Sequence, residues 1–173
     1  MSAPAQNSLR TATAGDVEAI QSIYAHHVLH GTGTFELEPP TTNEMRNRFS
    51  KITAAGYPFL VATEADNVVG FGYLGPFRER RAYRFTVEDS IYLHPDHMGQ
   101  GWGSKLLGAL IDTATSKGFT QMVALIGDSN NRASVAVHAK AGFTQGGVMR
   151  SVGFKFDRWL DVVIMQRALG QNN

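Results

Sequence analysis

The chain has 173 residues, 43% of them apolar and 18% charged, with a formal net charge of +1 at pH 7. That length supports one domain with a self-sufficient core, and the near-neutral balance argues against nucleic acid or an anionic membrane as partner. The chain contains no cysteine, which excludes disulfides, thiolate metal sites and cysteine nucleophiles.

Residues 1–8 lack the basic-then-apolar pattern of a secretory leader, and no apolar run reaches the length of a membrane span, so a cytoplasmic protein is expected. Residues 1–8 and 170–173 read as disordered. A short strand is predicted over 9–13. A helix follows from Asp16, with Val17, Ile20, Ile23, Tyr24 and Val28 at a period near 3.6, ended by Gly31 and Gly33. A second helix is predicted over 41–55, preceded by Pro39 and Pro40 and followed by Gly56. Apolar strands at 59–63 and 68–74 flank Asp66-Asn67, a hairpin signal. A longer strand covers 83–93 and a helix covers 104–117, its apolar side formed by Leu106, Leu107, Leu110, Ile111 and Ala114. A strand at 122–126, a short helix at 134–141 and a closing hairpin, 148–154 with 159–166, complete the order. The expectation is a single α/β (α+β) domain over 1–173, with an ordered core over 9–167. It has a mixed, mostly antiparallel central sheet flanked by about four helices.

The densest chemical signal is Gly99-Gln100-Gly101-Trp102-Gly103-Ser104, between an apolar strand and an amphipathic helix. Glycine admits positive φ and a close approach of backbone to ligand, and a helix N-terminus offers free N–H groups and partial positive charge. Together they suit a phosphate. A dinucleotide fold needs G-x-G-x-x-G directly after a strand, whereas here Ser104 stands where the last glycine belongs and five residues separate strand from loop. Asp128, just after a strand, imitates a ribose-binding acid, but repeated βαβ units are missing. A P-loop lacks its lysine-serine pair. A glycine connector without a ligand is the remaining alternative.

The stretch Met98-Gly-Gln-Gly-Trp-Gly-Ser104 resembles the acyl-CoA pyrophosphate loop of the GNAT N-acetyltransferase superfamily. Asn131-Arg-Ala-Ser134, then His138 and Gly142-Phe143, resembles its later cofactor motif. The resemblance covers about residues 9–167. Gly75-Pro-Phe-Arg78 with Ala82-Tyr83, Thr86-Val-Glu88-Asp-Ser-Ile-Tyr92, the Ile126-Gly127 ending, Gly153-Phe-Lys155 and Trp159-Leu-Asp161 resemble phosphinothricin acetyltransferases and the related methionine sulfoximine and sulfone enzymes. The resemblance implies transfer of acetyl from acetyl-CoA to the α-amine of a small amino-acid analogue, by direct attack in a ternary complex, and a homodimer. It also implies backbone cofactor contacts from Ile91, Tyr92 and Leu93, and contacts from Gly99, Gln100, Gly101, Trp102, Gly103, Ser104, Asn131 and Ser134. Two departures stand out. Met98 replaces the usual arginine or glutamine and leaves the cradle to backbone N–H groups with help from Gln100. The loop 127–130 reads one residue longer, so Asn130 competes with Asn131 as the contact.

Acyl transfer to an amine needs a base, a donor for the developing oxyanion and a proton for the thiolate. A base contributes about 10²- to 10⁴-fold and an oxyanion donor on the order of 3 kcal/mol. Glu88 interrupts an apolar-aromatic strand and matches the family's base; Asp89 has the opposite strand parity and is expected to face elsewhere. His138 stands where the subfamily carries a histidine. It has two readings, an acid for the thiolate or a structural helix histidine. Arg78 and Arg80 suit an anionic acceptor through their planar forks. Phe35, Tyr83 and Ser90 complete the expected acceptor site, Trp159 is an aromatic candidate for its wall, and Lys155 belongs either to it or to a dimer contact. His94-Pro-Asp-His97 reads as a polar turn, so no metal is expected. Other amines (a polyamine, an aminoglycoside, a protein N-terminus) and a non-catalytic acyl-CoA sensor are the competing functions.

Overall fold

The computed structural model describes residues 7–170. In chain order these form β1 (Ser8–Thr11), α1 (Val17–His30), α2 (Thr42–Ala54), β2 (Phe59–Glu64), β3 (Asn67–Pro76), β4 (Thr86–Leu93), α3 (Trp102–Ser116), β5 (Gln121–Gly127), α4 (Arg132–Lys140), β6 (Thr144–Lys155) and β7 (Arg158–Ala168). This is the element order expected from the sequence. The calls on residues 1–6 and 171–173 lie outside the described residues. Ser8, expected in the leading disorder, instead opens β1 and hydrogen-bonds Thr63 through its hydroxyl at 2.8 Å.

The seven strands make one sheet in the order β1-β2-β3-β4-β5-β7-β6, antiparallel throughout except between β4 and β5. Helices α1 and α2 cover one face, packing Ile20, Tyr24, Met45 and Phe49 on Phe59, Val61 and Phe71. Helices α3 and α4 cover the other, where Leu107, Leu110 and Ala114 meet Leu74, Val87, Met122 and Val163. None of the described helices is long and apolar enough to cross a membrane.

Local chemistry explains most boundaries. Thr41 caps α2 by accepting the Glu44 N–H at 3.2 Å. Two-residue turns with positive φ at both positions, Ala65-Asp66 and Phe156-Asp157, close the two hairpins, the geometry whose twist matches paired strands. Three expectations need correction. The strand expected over 83–93 begins only at Thr86, because the N–H groups of Tyr83 and Arg84 bond back to the carbonyls of Arg80 and Arg81 in a 3-10 turn. Helix α3 begins at Trp102 rather than Ser104, since Gly101 takes the cap with φ +85° and the Trp102 indole is buried. Strand β6 begins at Thr144 rather than 148. Its register slips between Gln145 and Gly147 and again between Met149 and Gly153, which breaks the alternation a sequence reading relies on.

One departure from regularity positions the site. β4 and β5 pair only at Thr86–Gln121, Val87–Met122 and Glu88–Val123, although β4 runs on to Leu93 and β5 to Gly127. The two parallel strands therefore part beyond Glu88, and the sheet opens.

Candidate active site

The opening is the mouth of a cleft of about 700 Å³. Its walls are the residues of β4 from Glu88 to Leu93, the end of β5 from Ala124 to Asp128, the glycine loop, the first turns of α4, and Gly31 to Gly33 after α1. Successive residues of β4 point to opposite faces. Val87 packs in the α3 core and Tyr92 against the α1–α2 core, so Asp89 and Ile91 lie on the first side, and Glu88 and Ser90 on the second. Both sets line the cleft because it passes through the split sheet.

The glycine loop is built for close approach. Gly99 and Gly101 have φ of +74° and +85°, and nothing stands within 4 Å of a Cβ built on either. The loop face is thus open, and the α3 N-terminus behind it presents N–H groups without intrahelical partners. Gly103 and Ser104 line the same wall. The Gln100 amide, expected to assist, donates to the Asp96 carbonyl at 3.1 Å, and the Trp102 side chain packs in the core with Ala62, Val69 and Leu106.

Two polar groups singled out in the sequence have internal hydrogen-bond partners. Asn131 Oδ1 accepts the Ser134 N–H at 3.3 Å and so caps α4, while Asn130 is exposed at the cleft edge. Asp128, the ribose-acid look-alike, has φ +70° and spends its carboxylate on the Asn130 N–H and on Arg158, both at 2.9 Å. Burial alone raises the Asp128 pKa, but these two partners outweigh it and hold the carboxyl below the usual range.

Glu88 faces the cleft opposite Gly75 of β3. Burial pushes its pKa up; the Arg78 charge pulls it down and Asp89 adds to the rise, leaving a net increase. A carboxylate raised in this way is a better proton acceptor near neutrality. Arg78 is exposed, its guanidinium 4.3 Å from the Phe77 ring centroid. Arg80 is exposed and Tyr83 packs edge-on to Phe77, so Arg78, Arg80 and Tyr83 sit outside the cleft wall on the connection between β3 and β4. Trp159 is exposed on the closing hairpin, its ring tilted 58° against that of Phe154 at 5.1 Å.

The loop after α1 is held firmly. Tyr24, its pKa raised by burial to about 12, stays neutral and donates a hydrogen bond from its hydroxyl to Glu36 at 2.9 Å. The Thr34 hydroxyl, 2.8 Å away, must then donate to Tyr24. Arg48 bridges Glu36 and Glu44. Buried Lys155 donates to the Thr34 carbonyl at 2.9 Å, and burial lowers its pKa. Phe35 packs over Gly127 and Gly153 rather than into the cleft.

Sequence reasoning missed His27, whose Nε2 donates to the Leu93 carbonyl at 2.7 Å, and the pairing of Asp89 with His138 at 3.0 Å. The parity argument put Asp89 on the far face, where it lies; periodicity carries no signal that α4 covers that face. No group of three or more His, Asp or Glu side chains is arranged to hold a metal among the described residues.

The profile of the acetyltransferase (GNAT) family matches residues 20–143. The chain belongs to the GNAT acetyltransferase family. This acetyltransferase is 49% identical over 162 residues to a phosphinothricin N-acetyltransferase of Alcaligenes faecalis, covering 94% of this chain and 82% of that one. It is 40% identical over 165 residues to an L-methionine sulfoximine/L-methionine sulfone acetyltransferase of Salmonella typhimurium, covering 95% and 96%. A crystal structure of a GNAT phosphinothricin acetyltransferase from Sinorhizobium meliloti in complex with acetyl-CoA superposes with a TM-score of 0.92 at 47% identity, covering 95% of this chain and 89% of that one.

Proposed function

We propose that this acetyltransferase moves acetyl from acetyl-CoA to the α-amine of a small amino-acid-like acceptor of the phosphinothricin or methionine sulfoximine/sulfone type. The observation that carries this reading is the meeting, in one cleft through the split sheet, of an open glycine cradle and a carboxylate with a raised pKa. The relatives' acceptors support the substrate class.

Acetyl-CoA supplies an activated acetyl thioester. Gly99, Gly101, Gly103 and Ser104 would hold its pyrophosphate on backbone N–H groups, in keeping with the open loop face and the unpartnered helix end. The edge of β4 beyond Glu88, released from β5, leaves main-chain groups of Ile91 and Tyr92 beside the cofactor path. Glu88 takes the proton from the acceptor amine. Arg78, whose charge reaches Glu88, meets the acceptor's carboxylate or its acidic side-chain group. The absence of cysteine accords with direct transfer in a ternary complex. A homodimer is the working assembly, supported by Phe154 and Trp159, 53% and 65% exposed on the β6–β7 hairpin.

The test is thiol release from acetyl-CoA against phosphinothricin, methionine sulfoximine, methionine sulfone, spermidine and an aminoglycoside. Turnover with the first three alone is expected. Turnover only with the cationic amines would overturn the acceptor class. No release with any amine, together with no thermal shift at millimolar acetyl-CoA, would overturn the reading as a whole.

A further inference from the structure

Asp89 is the first residue of β4 beyond its last pairing with β5, and its side chain crosses to α4. It is 7% exposed and His138 is 5% exposed. The imidazole makes two bonds, Nε2 to Asp89 Oδ2 at 3.0 Å and Nδ1 to the Ser134 carbonyl at 2.7 Å. A carbonyl only accepts, so Nδ1 carries a hydrogen. A carboxylate also only accepts, so the second bond requires one more proton shared between Nε2 and Asp89. Both ring nitrogens are therefore committed, and no free N–H is left for a thiolate in the cleft.

We propose that Asp89 is a positioning residue: through His138 it braces the first turns of α4 against β4 across the gap where the sheet splits. Ser134 is the joint. Its carbonyl takes the imidazole bond, and its N–H is held by the Asn131 cap. Loss of the brace would free the wall that carries Asn131 and Ser134 while Glu88, on the opposite face of β4, keeps its place. The second oxygen of Asp89, Oδ1, is buried and accepts no bond among the described residues, so the imidazole is the carboxylate's one neutralising contact there. Breaking such a pair exposes a buried charge to an apolar surround.

This inference rests on acetyl-CoA being the cleft's ligand. It is tested with D89A, D89N and H138A, each measured by steady-state kinetics, together with ¹⁵N spectra of the wild-type histidine rings. D89A is expected to raise the KM for acetyl-CoA about tenfold or more while kcat changes less than about threefold. D89N should recover most of that loss, because its amide can donate to Nε2 of a neutral imidazole and remake the brace without the charge. H138A, which removes both ring donors, should behave as D89A does. The wild-type His138 ring should show both nitrogens protonated at neutral pH. A fall in kcat of about tenfold or more in D89N, at unchanged KM, would overturn the proposal and make the shared proton part of the chemistry. So would a wild-type ring with Nδ1 bare, which cannot donate to the Ser134 carbonyl. Should D89A fail to fold, D89N and the ring spectrum decide. Absence of wild-type turnover would count against the acetyl-CoA reading instead, since the ring spectrum reports on the brace without turnover.

Discussion

The ring of Phe35 fills the space that a side chain on Gly153 would need: a Cβ built there meets the Cε2 and Cδ2 atoms of Phe35. The loop after α1 is thereby keyed into the closing hairpin, far away in sequence. G153A is expected to destabilise the fold by about 1–3 kcal/mol through overpacking, and by less than about 0.5 kcal/mol in an F35A background. Urea denaturation of the four proteins of the cycle measures this, and equal costs in both backgrounds would show that the contact is absent. G127A gives a contrast. Its Cβ would strike the Thr32 carbonyl, which is backbone, so F35A should not rescue it.

The base role proposed for Glu88 makes activity depend on pH. Burial raises its pKa above the usual glutamate value, so activity should fall as pH drops through that raised value and the carboxylate becomes protonated. R78Q removes the nearby charge that lowers it, and should shift the acid limb of the kcat/KM profile to higher pH. E88Q should lower kcat at pH 7 at least about 10²-fold while leaving the melting temperature unchanged or higher, because a partly buried carboxylate is replaced by a neutral amide. An acid limb that stays in place in R78Q would separate the two residues.

Lys155 tests how far the loop shapes the site. Its ammonium ties the Thr34 carbonyl to β6. K155M keeps the stem but leaves that buried carbonyl without its donor, a loss of about 1–3 kcal/mol. The expected result is a KM for the acceptor raised about tenfold, with the acetyl-CoA KM unchanged. Equal effects on both KM values would place Lys155's influence outside the acceptor side.

His138 gives stability its own pH dependence. Burial lowers its pKa, but the hydrogen bond and charge of Asp89, with the Ser134 carbonyl, outweigh burial and raise it above 6.5. A group with a raised folded value stabilises fully below its unfolded pKa, and that contribution fades as pH rises through the folded value. The urea midpoint of the wild type should therefore drop between pH 6 and pH 9 by more than that of H138Q. Parallel curves would remove the contribution.

Residue order alone determined the element order, because this depends on local periodicity; it also singled out the glycine loop, and the resemblance to the family added Glu88 as the proposed base. Strand ends were less legible. Tyr83 to Phe85 read as strand by composition, and backbone bonds to Arg80 and Arg81 made part of that segment a 3-10 turn. Tertiary structure decided what the long-range contacts control. It parted β4 from β5 after Glu88, since pairing depends on how two distant strands are packed. It gave the side chains of Asn131 and Asp128 internal partners, the Ser134 N–H and Arg158. It also joined Asp89 to His138, 49 residues apart, because each lies on a face whose neighbour only the packed helix α4 supplies.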